Sequence, residues 1–596
     1  MTSLRAGLVV LAFASSLYGQ ATYYVAPSGS DTNSGTSRTR AWRTLNRAND
    51  LHNGDTLLLA GGSTFSGSLH IRASNITIGS YGKGRATIDS GDESAIDANG
   101  VGGLRISNLN LRSTSLARKV LDRTAIEIIN RGPKLNAIRI DHVEMSGFSF
   151  AGIVLRANDR ITGFDGITID SVSIRDVGYV GIAFYAIESG AFRNFSVRHS
   201  EISNVTGYFN AYGIVVQGTG SGIIGQGLVT GTISNNHIYD NGLTFGGGGF
   251  AIALERPLDV TIEENELRDM HWSVGGGIDI DGGVSIRIRY NYTHDNYGPG
   301  IRLCACASGV HEVVVHHNIS ENDGAPASVE LAGTFPSDSI AVFHNTIFKR
   351  DGTALASGPS FSALFANNIF LTEGGTAVDA STGSTFLAND YFDFSGILRL
   401  MWNGATFGSL PSWGQDPLGI ETNPQLIRPG VGGAMFPAAL SDLDAYRLTP
   451  NSPVIDEAED LRPRGFDIGL RDYFGGVEQT IHGSDIGAYE FRTEPYAPSI
   501  EPIASRSVEV GDAIEVDVWL HDPDGTNSVT LALAGAPPFA TIKRVSGSHA
   551  IITLAPVVPG QTTIRVRATD EFGLTDEKTF NVNVTGGVRT RAIRRR

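Results

Sequence analysis

Ile288-Arg-Tyr-Asn291-Tyr-Thr and Val315-His-His-Asn318-Ile-Ser are two copies of one pattern: apolar, any, any, Asn, any, apolar or small. It stands also at Ile233-Ser-Asn-Asn236, Ile262-Glu-Glu-Asn265, Val342-Phe-His-Asn345 and Phe365-Ala-Asn-Asn368. By subtraction the six asparagines are 29, 26, 27, 27 and 23 residues apart. Between them lie runs of four to eight residues rich in Ile, Val, Thr and Phe, separated by Gly, Asn and Asp, which read as strands and turns. A repeat of this length built from short strands is a solenoid signature. In a parallel β-coil, equal positions of successive turns stack at roughly 4.8 Å. The asparagines then form a buried ladder at a bend, each amide satisfying its neighbour and the turn backbone. Their role is structural rather than catalytic.

A second repeated strand follows the pattern Gly-apolar-x-apolar-x. It begins at Gly152, Gly181, Gly213, Gly249, Gly277 and Gly300, with Ser328-Val-Glu-Leu-Ala332 as a divergent copy. Alternation turns the apolar members inward and the x positions outward. The outward positions fall into two columns. One runs Val154, Ala183, Val215, Ala251, Asp279, Arg302, Glu330, and the other Arg156, Tyr185, Gln217, Ala253, Asp281, Cys304, Ala332.

These segments resemble the right-handed parallel β-helix proteins of the pectate-lyase-like superfamily over about 23–410. The opening Tyr23-Tyr-Val-Ala-Pro-Ser-Gly-Ser-Asp31 with Ala41-Trp-Arg-Thr-Leu45 is similar to the entry of secreted bacterial members. The stretch Gly275-Gly-Gly-Ile-Asp-Ile-Asp-Gly-Gly283 followed by Asn291-Tyr-Thr-His-Asp-Asn296 resembles a recurrent subgroup. The resemblance implies a right-handed parallel β-helix; with a small β-sandwich following it over 497–584, the chain is expected to be all-β. The resemblance leaves the reaction open among lyases, hydrolases, epimerases and inactive members.

Met1-Thr-Ser-Leu-Arg5 and the apolar stretch 6–17 read as a secretory signal over 1–21, so an extracellular, periplasmic or cell-surface protein is expected. No later run reaches the ~20 apolar residues of a spanning helix. The β-helix is expected over 22–418 and a closing segment over 419–496, marked by Tyr446-Arg-Leu-Thr-Pro and Asp485-Ile-Gly-Ala-Tyr-Glu-Phe491. Residues 497–584 alternate like an immunoglobulin- or cadherin-like sandwich, with His521-Asp-Pro-Asp-Gly525 as a turn. A basic tail, 585–596, ends the chain. Formal net charge is −16 with only 18% charged residues, which does not suit a nucleic-acid partner. Cys304 and Cys306 are the only cysteines and are read as unbridged packing residues, since x positions one residue apart on a strand point the same way.

For chemistry, Asp279, Arg302 and Glu330 are expected on successive rungs, with Asp281 about 6.6 Å along the strand from Asp279. Two carboxyl groups at ~5–5.5 or ~6.5–9.5 Å meet the needs of glycoside hydrolysis, so Asp279, Asp281 and Glu330 are the candidate acid, base or nucleophile. Arg302, Arg156, Tyr185 and Gln217 are the candidate substrate-binding groups. His294 beside Asp295 is a second candidate base, although Asp295 recurs four residues after the ladder Asn, as Asp240, Asp269 and Asn322 do, and so reads as a turn residue. The same Asp–Arg–Glu ladder also describes an ordinary surface salt-bridge network. The expected partner is a polysaccharide, bound by a monomer. The alternatives are a lyase with Arg302 as base and Ca²⁺ held by the neighbouring carboxylates, as the resemblance implies, and a non-catalytic glycan-binding or adhesion protein.

Overall fold

The computed structural model describes residues 20–207, 219–243, 249–271, 275–478 and 483–586. From Thr22 to Trp402 the chain winds as a parallel β-solenoid. One coil is Ile278–Asp281, Gly283–Arg289 and Tyr292–His294. Its first strand joins a 14-stranded sheet, and the other two belong to a 25-stranded sheet that wraps the remaining sides. Inward Ile, Val, Leu and Phe stack into one continuous core, because a period of two sends alternate residues inside on every rung.

The asparagine ladder forms as expected and runs further than the sequence pattern. Nδ2 of Asn236, Asn265, Asn291, Asn318, Asn345 and Asn368 each donates to Oδ1 of the next ladder residue at 2.9–3.0 Å, the last to Asn389. Asn389 then donates to Asp416 Oδ2 at 2.8 Å. An ionised carboxylate accepts only, so it is a fitting terminus for a chain of donors. The residue before each rung, Asn235, Glu264, Tyr290, His317, His344, Asn367 and Ala388, has φ between +50° and +57°. Asp240, Asp269, Asp295 and Asn322 are also left-handed and make a second corner column. Asn and Asp tolerate this backbone region, which explains their recurrence there.

At the start, Trp42 stacks on Tyr23 at 4.5 Å, and the 3₁₀ turn Leu45–Asp50 buries Leu45 and Ala48 against the first coil. The far end is closed by the antiparallel pair Leu400–Trp402 and Ala405–Phe407 and the short helix Leu410–Trp413. Its Trp413 meets Phe386 and Tyr391 edge-on. The segment expected to close the last coil, 419–496, runs instead back along the ladder corner as a strap. Thr422 N donates to Asp390, Asn367 bonds the Glu459 backbone, and Arg471 pairs with Glu264. A small apolar core of Tyr446, Val454, Phe474 and Ile486 holds this strap on the solenoid.

Residues 499–585 form a sandwich of two four-stranded sheets around Val516, Val518, Ile552, Ile564, Val566 and Phe580. The sandwich packs against the flank of the solenoid. Arg38 bonds Glu509 and Asp512 at 2.6 Å each, His142 Nε2 lies 2.5 Å from Asp517, and Trp519 stacks between His199 and His549 at 3.9 Å from each. Among the described residues no helix is long and apolar enough to cross a membrane. The signal segment and the basic tail lie outside the described residues, apart from their innermost positions.

Candidate functional site

The 14-stranded sheet carries the charged column on its outer surface. Asp279 pairs in register with Arg302, and Arg302 with Glu330. Ile278 and Ile280 fill the core on either side of Asp279 and so fix which way it faces. Arg302 grips Asp279 with both arms, Nε to Oδ1 at 2.8 Å and Nη2 to Oδ2 at 3.0 Å, while its guanidinium lies 4.4 Å from the Phe250 ring centre. Asp279 is thereby only 9% exposed. Burial pushes its pKa up, and the nearby Asp281 adds to this, outweighing the Arg302 hydrogen bonds and charge. Glu330 is also raised, by burial against the opposing charge of Arg302. Burial works to lower Arg302, but the Asp279 hydrogen bonds and charge prevail and raise it.

Asp281 sits in the neighbouring column, two residues along the same strand. Its Oδ1 accepts from Cys306 N at 3.2 Å and Ala307 N at 2.7 Å, which ties it to the turn after the next strand. That turn corrects the cysteine reading. The strand ends at Ala305, so Cys306 leaves the alternation and forms a disulfide with Cys304, Cα to Cα 5.2 Å. Asp281 and the two sulfur atoms lie close together, yet bridged sulfur offers no thiolate to a metal.

Upstream the register differs from the sequence alignment. Ile224 and Ala253, rather than Val215 and Ala251, continue the first column to Asp279, because Ser221–Gln226 is the strand that pairs here and Ile252 aligns with Ile278. The residue beside Asp281 is therefore Glu255, not Ala253. Gln226 Nε2 donates to Glu255 Oε2 at 2.8 Å, and Arg256 Nη2 donates to Oε1 at 2.8 Å. Sequence reasoning missed Glu255. The parallel between Ile252-Ala-Leu-Glu255 and Ile278-Asp-Ile-Asp281 carried the signal.

Gln217 lies outside the described residues. Arg156 and Tyr185 are adjacent rungs, as expected, with the guanidinium 5.0 Å from the Tyr185 ring centre and Nε bonded to Glu127 at 2.8 Å. Of the two outer columns, the one that leads to Asp279 is apolar, with Val154 and Ala183 buried among Phe150, Tyr179 and Ile224, whereas the one that leads to Asp281 carries Gln226 and Glu255.

His294 does not join this face. It lies on the other sheet, buried under the strap, with Nε2 3.3 Å from Glu266 and Nδ1 3.0 Å from Asp295. Glu266 in turn accepts from Met435 N and Phe436 N of the strap. Burial works to lower the pKa of His294, but Asp295 and Glu266 raise it to about 9. An imidazolium at neutral pH is no general base, and the sequence could not see the strap that encloses it.

The carboxylates do not fit Ca²⁺. Six to eight oxygen ligands are needed, whereas both oxygens of Asp279 are committed to Arg302 and Oδ1 of Asp281 to two backbone N–H groups. The larger cavities described lie elsewhere: one of about 530 Å³ on the sandwich, lined by Arg506, Gln561 and Asn583, and two of about 350 and 230 Å³ where the sandwich meets solenoid and strap.

Residues 124–392 match the family model described as a right handed beta helix region. No curated protein matches the chain. Among solved structures, XylC in complex with xylose is similar at 13% identity and TM-score 0.42, over 79% of this chain and 99% of that one. An endo-fucoidan hydrolase from glycoside hydrolase family 107 is similar at 14% identity and TM-score 0.14, over 15% of this chain and 14% of its own length. The titin M4 domain is similar at 14% identity and TM-score 0.14, over 16% of this chain and all of that domain. The solenoid that carries Asp279, Asp281, Arg302 and Glu330 is a right-handed β-helix, and a small β-sandwich follows it.

Proposed function

We propose that this protein is an exported carbohydrate-active enzyme that hydrolyses a glycosidic bond on the outer face of its β-helix. The observation that carries this reading is the pair Asp279 and Asp281 on one strand: same face, different surroundings. Two residues of strand separate them by about 6.6 Å, inside the range for inverting hydrolysis. Asp279, raised by burial, is the proton donor to the leaving oxygen once substrate draws Arg302 from one carboxylate oxygen. Asp281 is the base that activates water. Glu255 and Glu330, one rung beyond Asp281 and one beyond Arg302, are placed to bind sugar hydroxyls, and the Arg156–Tyr185 pair offers a stacking surface upstream. A lyase using Arg302 as base is disfavoured, because its pairing with Asp279 raises its pKa and makes proton abstraction harder.

Export is part of the same reading. The Cys304–Cys306 disulfide, with one sulfur at an exposed residue, suits an oxidising compartment.

One observation favours a second reading, a non-catalytic glycan-binding face: three of the four carboxylate oxygens of Asp279 and Asp281 already have partners. Incubating the full chain with a polysaccharide panel separates the readings. New reducing ends support hydrolysis, products absorbing in the ultraviolet support a lyase, and retention on a glycan without products supports the binder.

A further inference from the structure

Three metal-ligating side chains converge beneath the strap, on the corner away from the carboxylate face. His317 and His344 each precede a ladder asparagine, so they occupy equivalent positions one rung apart. Their rings stack at 5.0 Å with planes 1° apart. The strap adds Glu478, whose Oε2 lies 3.3 Å from His317 Nε2. One donor atom from each of the three falls within 4.8 Å of the other two, and all three residues are buried.

The rings are also oriented for a metal. A histidine binds through one lone pair, so the other nitrogen must carry the proton and have an acceptor behind it. His344 Nδ1 lies 3.1 Å from the Asp485 carbonyl, which can only accept, so Nε2 bears the lone pair. His317 Nδ1 lies 2.8 Å from His316 Nδ1, and a proton donated there leaves His317 Nε2 open toward Glu478. On the strap side, Glu478 Oε1 has no hydrogen-bond partner although the residue is only 4% exposed. A buried carboxylate oxygen without a partner is costly.

We infer that His317 Nε2, His344 Nε2 and the Glu478 carboxylate bind one divalent transition-metal ion of the zinc class, which pins the strap to the solenoid corner. Two imidazoles and a carboxylate suit zinc, whereas Ca²⁺ and Mg²⁺ favour oxygen alone. With bonds of about 2.0–2.1 Å, tetrahedral donors stand roughly 3.3 Å apart, so the three groups close by up to about 1.5 Å, and water fills the fourth position. Asn367 Nδ2 now donates to His344 Nε2 at 3.0 Å. The ion displaces that bond, and Asn367 keeps its two bonds to the Glu459 backbone.

The test uses the full chain without an affinity tag, incubated with Zn²⁺ or Co²⁺ and then desalted. Expected are about one equivalent of retained metal, visible absorption of the Co²⁺ form and a rise in melting temperature with Zn²⁺. His344→Gln and Glu478→Gln should each lose the ion with an unchanged circular dichroism spectrum, while His311→Gln, an exposed control, keeps it. Wild-type retention below about 0.2 equivalents with an unshifted melting temperature overturns the site, as does full retention by His344→Gln. Should both variants fail to fold, wild-type stoichiometry and the Co²⁺ spectrum decide alone.

Discussion

Arg302 closes on Asp279 across a single rung, two hydrogen bonds at 2.8 and 3.0 Å, and makes a nearly buried carboxylate tolerable. Arg302→Gln removes the counter-charge and leaves the carboxyl group in place. The expected cost is about 2–3 kcal/mol, somewhat below that of breaking a fully buried pair because Arg302 retains some exposure. The pH dependence follows from the raised pKa of Asp279. A carboxyl whose folded pKa exceeds its unfolded value, about 3.9, contributes stability that is fully present below that value and lost as pH rises through the folded one. Without Arg302 the folded pKa climbs further, so the deficit of the variant should be larger at pH 7 than at pH 4 in urea unfolding. An equal deficit at both would mean that the charge of Asp279 is not what Arg302 compensates.

Asp416 ends the asparagine ladder, and its partners are all donors: Ala388 N, Asn389 N, Asn389 Nδ2 and the Tyr391 hydroxyl, at 2.8–3.0 Å. Asp416→Asn is nearly isosteric yet turns an NH₂ group against one of these donors. A loss of about 1–3 kcal/mol is expected, read as a lower denaturation midpoint. An unchanged midpoint would show that the ladder does not need an acceptor-only end.

His142 joins the solenoid to the sandwich, with Nδ1 3.3 Å from Asp141 and Nε2 2.5 Å from Asp517. Burial works to lower its pKa, but the two carboxylates raise it to about 9. Its contribution to docking is therefore fully present below the ordinary imidazole value, about 6.5, and lost as pH rises through about 9. Limited proteolysis between solenoid and sandwich should accelerate from pH 7 to pH 9.5. His142→Gln should flatten that profile and weaken docking by on the order of 1–3 kcal/mol. A wild-type profile that is flat over the same range would contradict the assignment.

The fold was legible because the ladder asparagine marks each coil at one corner, and a period of two then fixes which residues face out. Asp279, Arg302 and Glu330 followed from that register alone. It slipped where a coil is longer. Gly249 was aligned with Gly277, whereas Ile252 is the partner of Ile278, and the two-residue offset hid Glu255 behind Ala253. Alternation also fails at strand ends, which is why Cys306 turns back to Cys304. The pairing of His294 with Asp295 was legible, at 3.0 Å, but the burial of His294 was not. Its surroundings come from Glu266, 28 residues earlier, and from the strap residues Met435 and Phe436, and local sequence carries no trace of that enclosure.

The hydrolytic reading stands or falls on the two aspartates, so the most direct measurement is reducing-end release from a cleaved polysaccharide by wild type, Asp279→Asn and Asp281→Asn, with folding checked by circular dichroism. The account predicts that wild type releases reducing ends without ultraviolet-absorbing product, and that each variant falls by at least about 10²-fold. Release that survives both substitutions, or an unsaturated product, would contradict it.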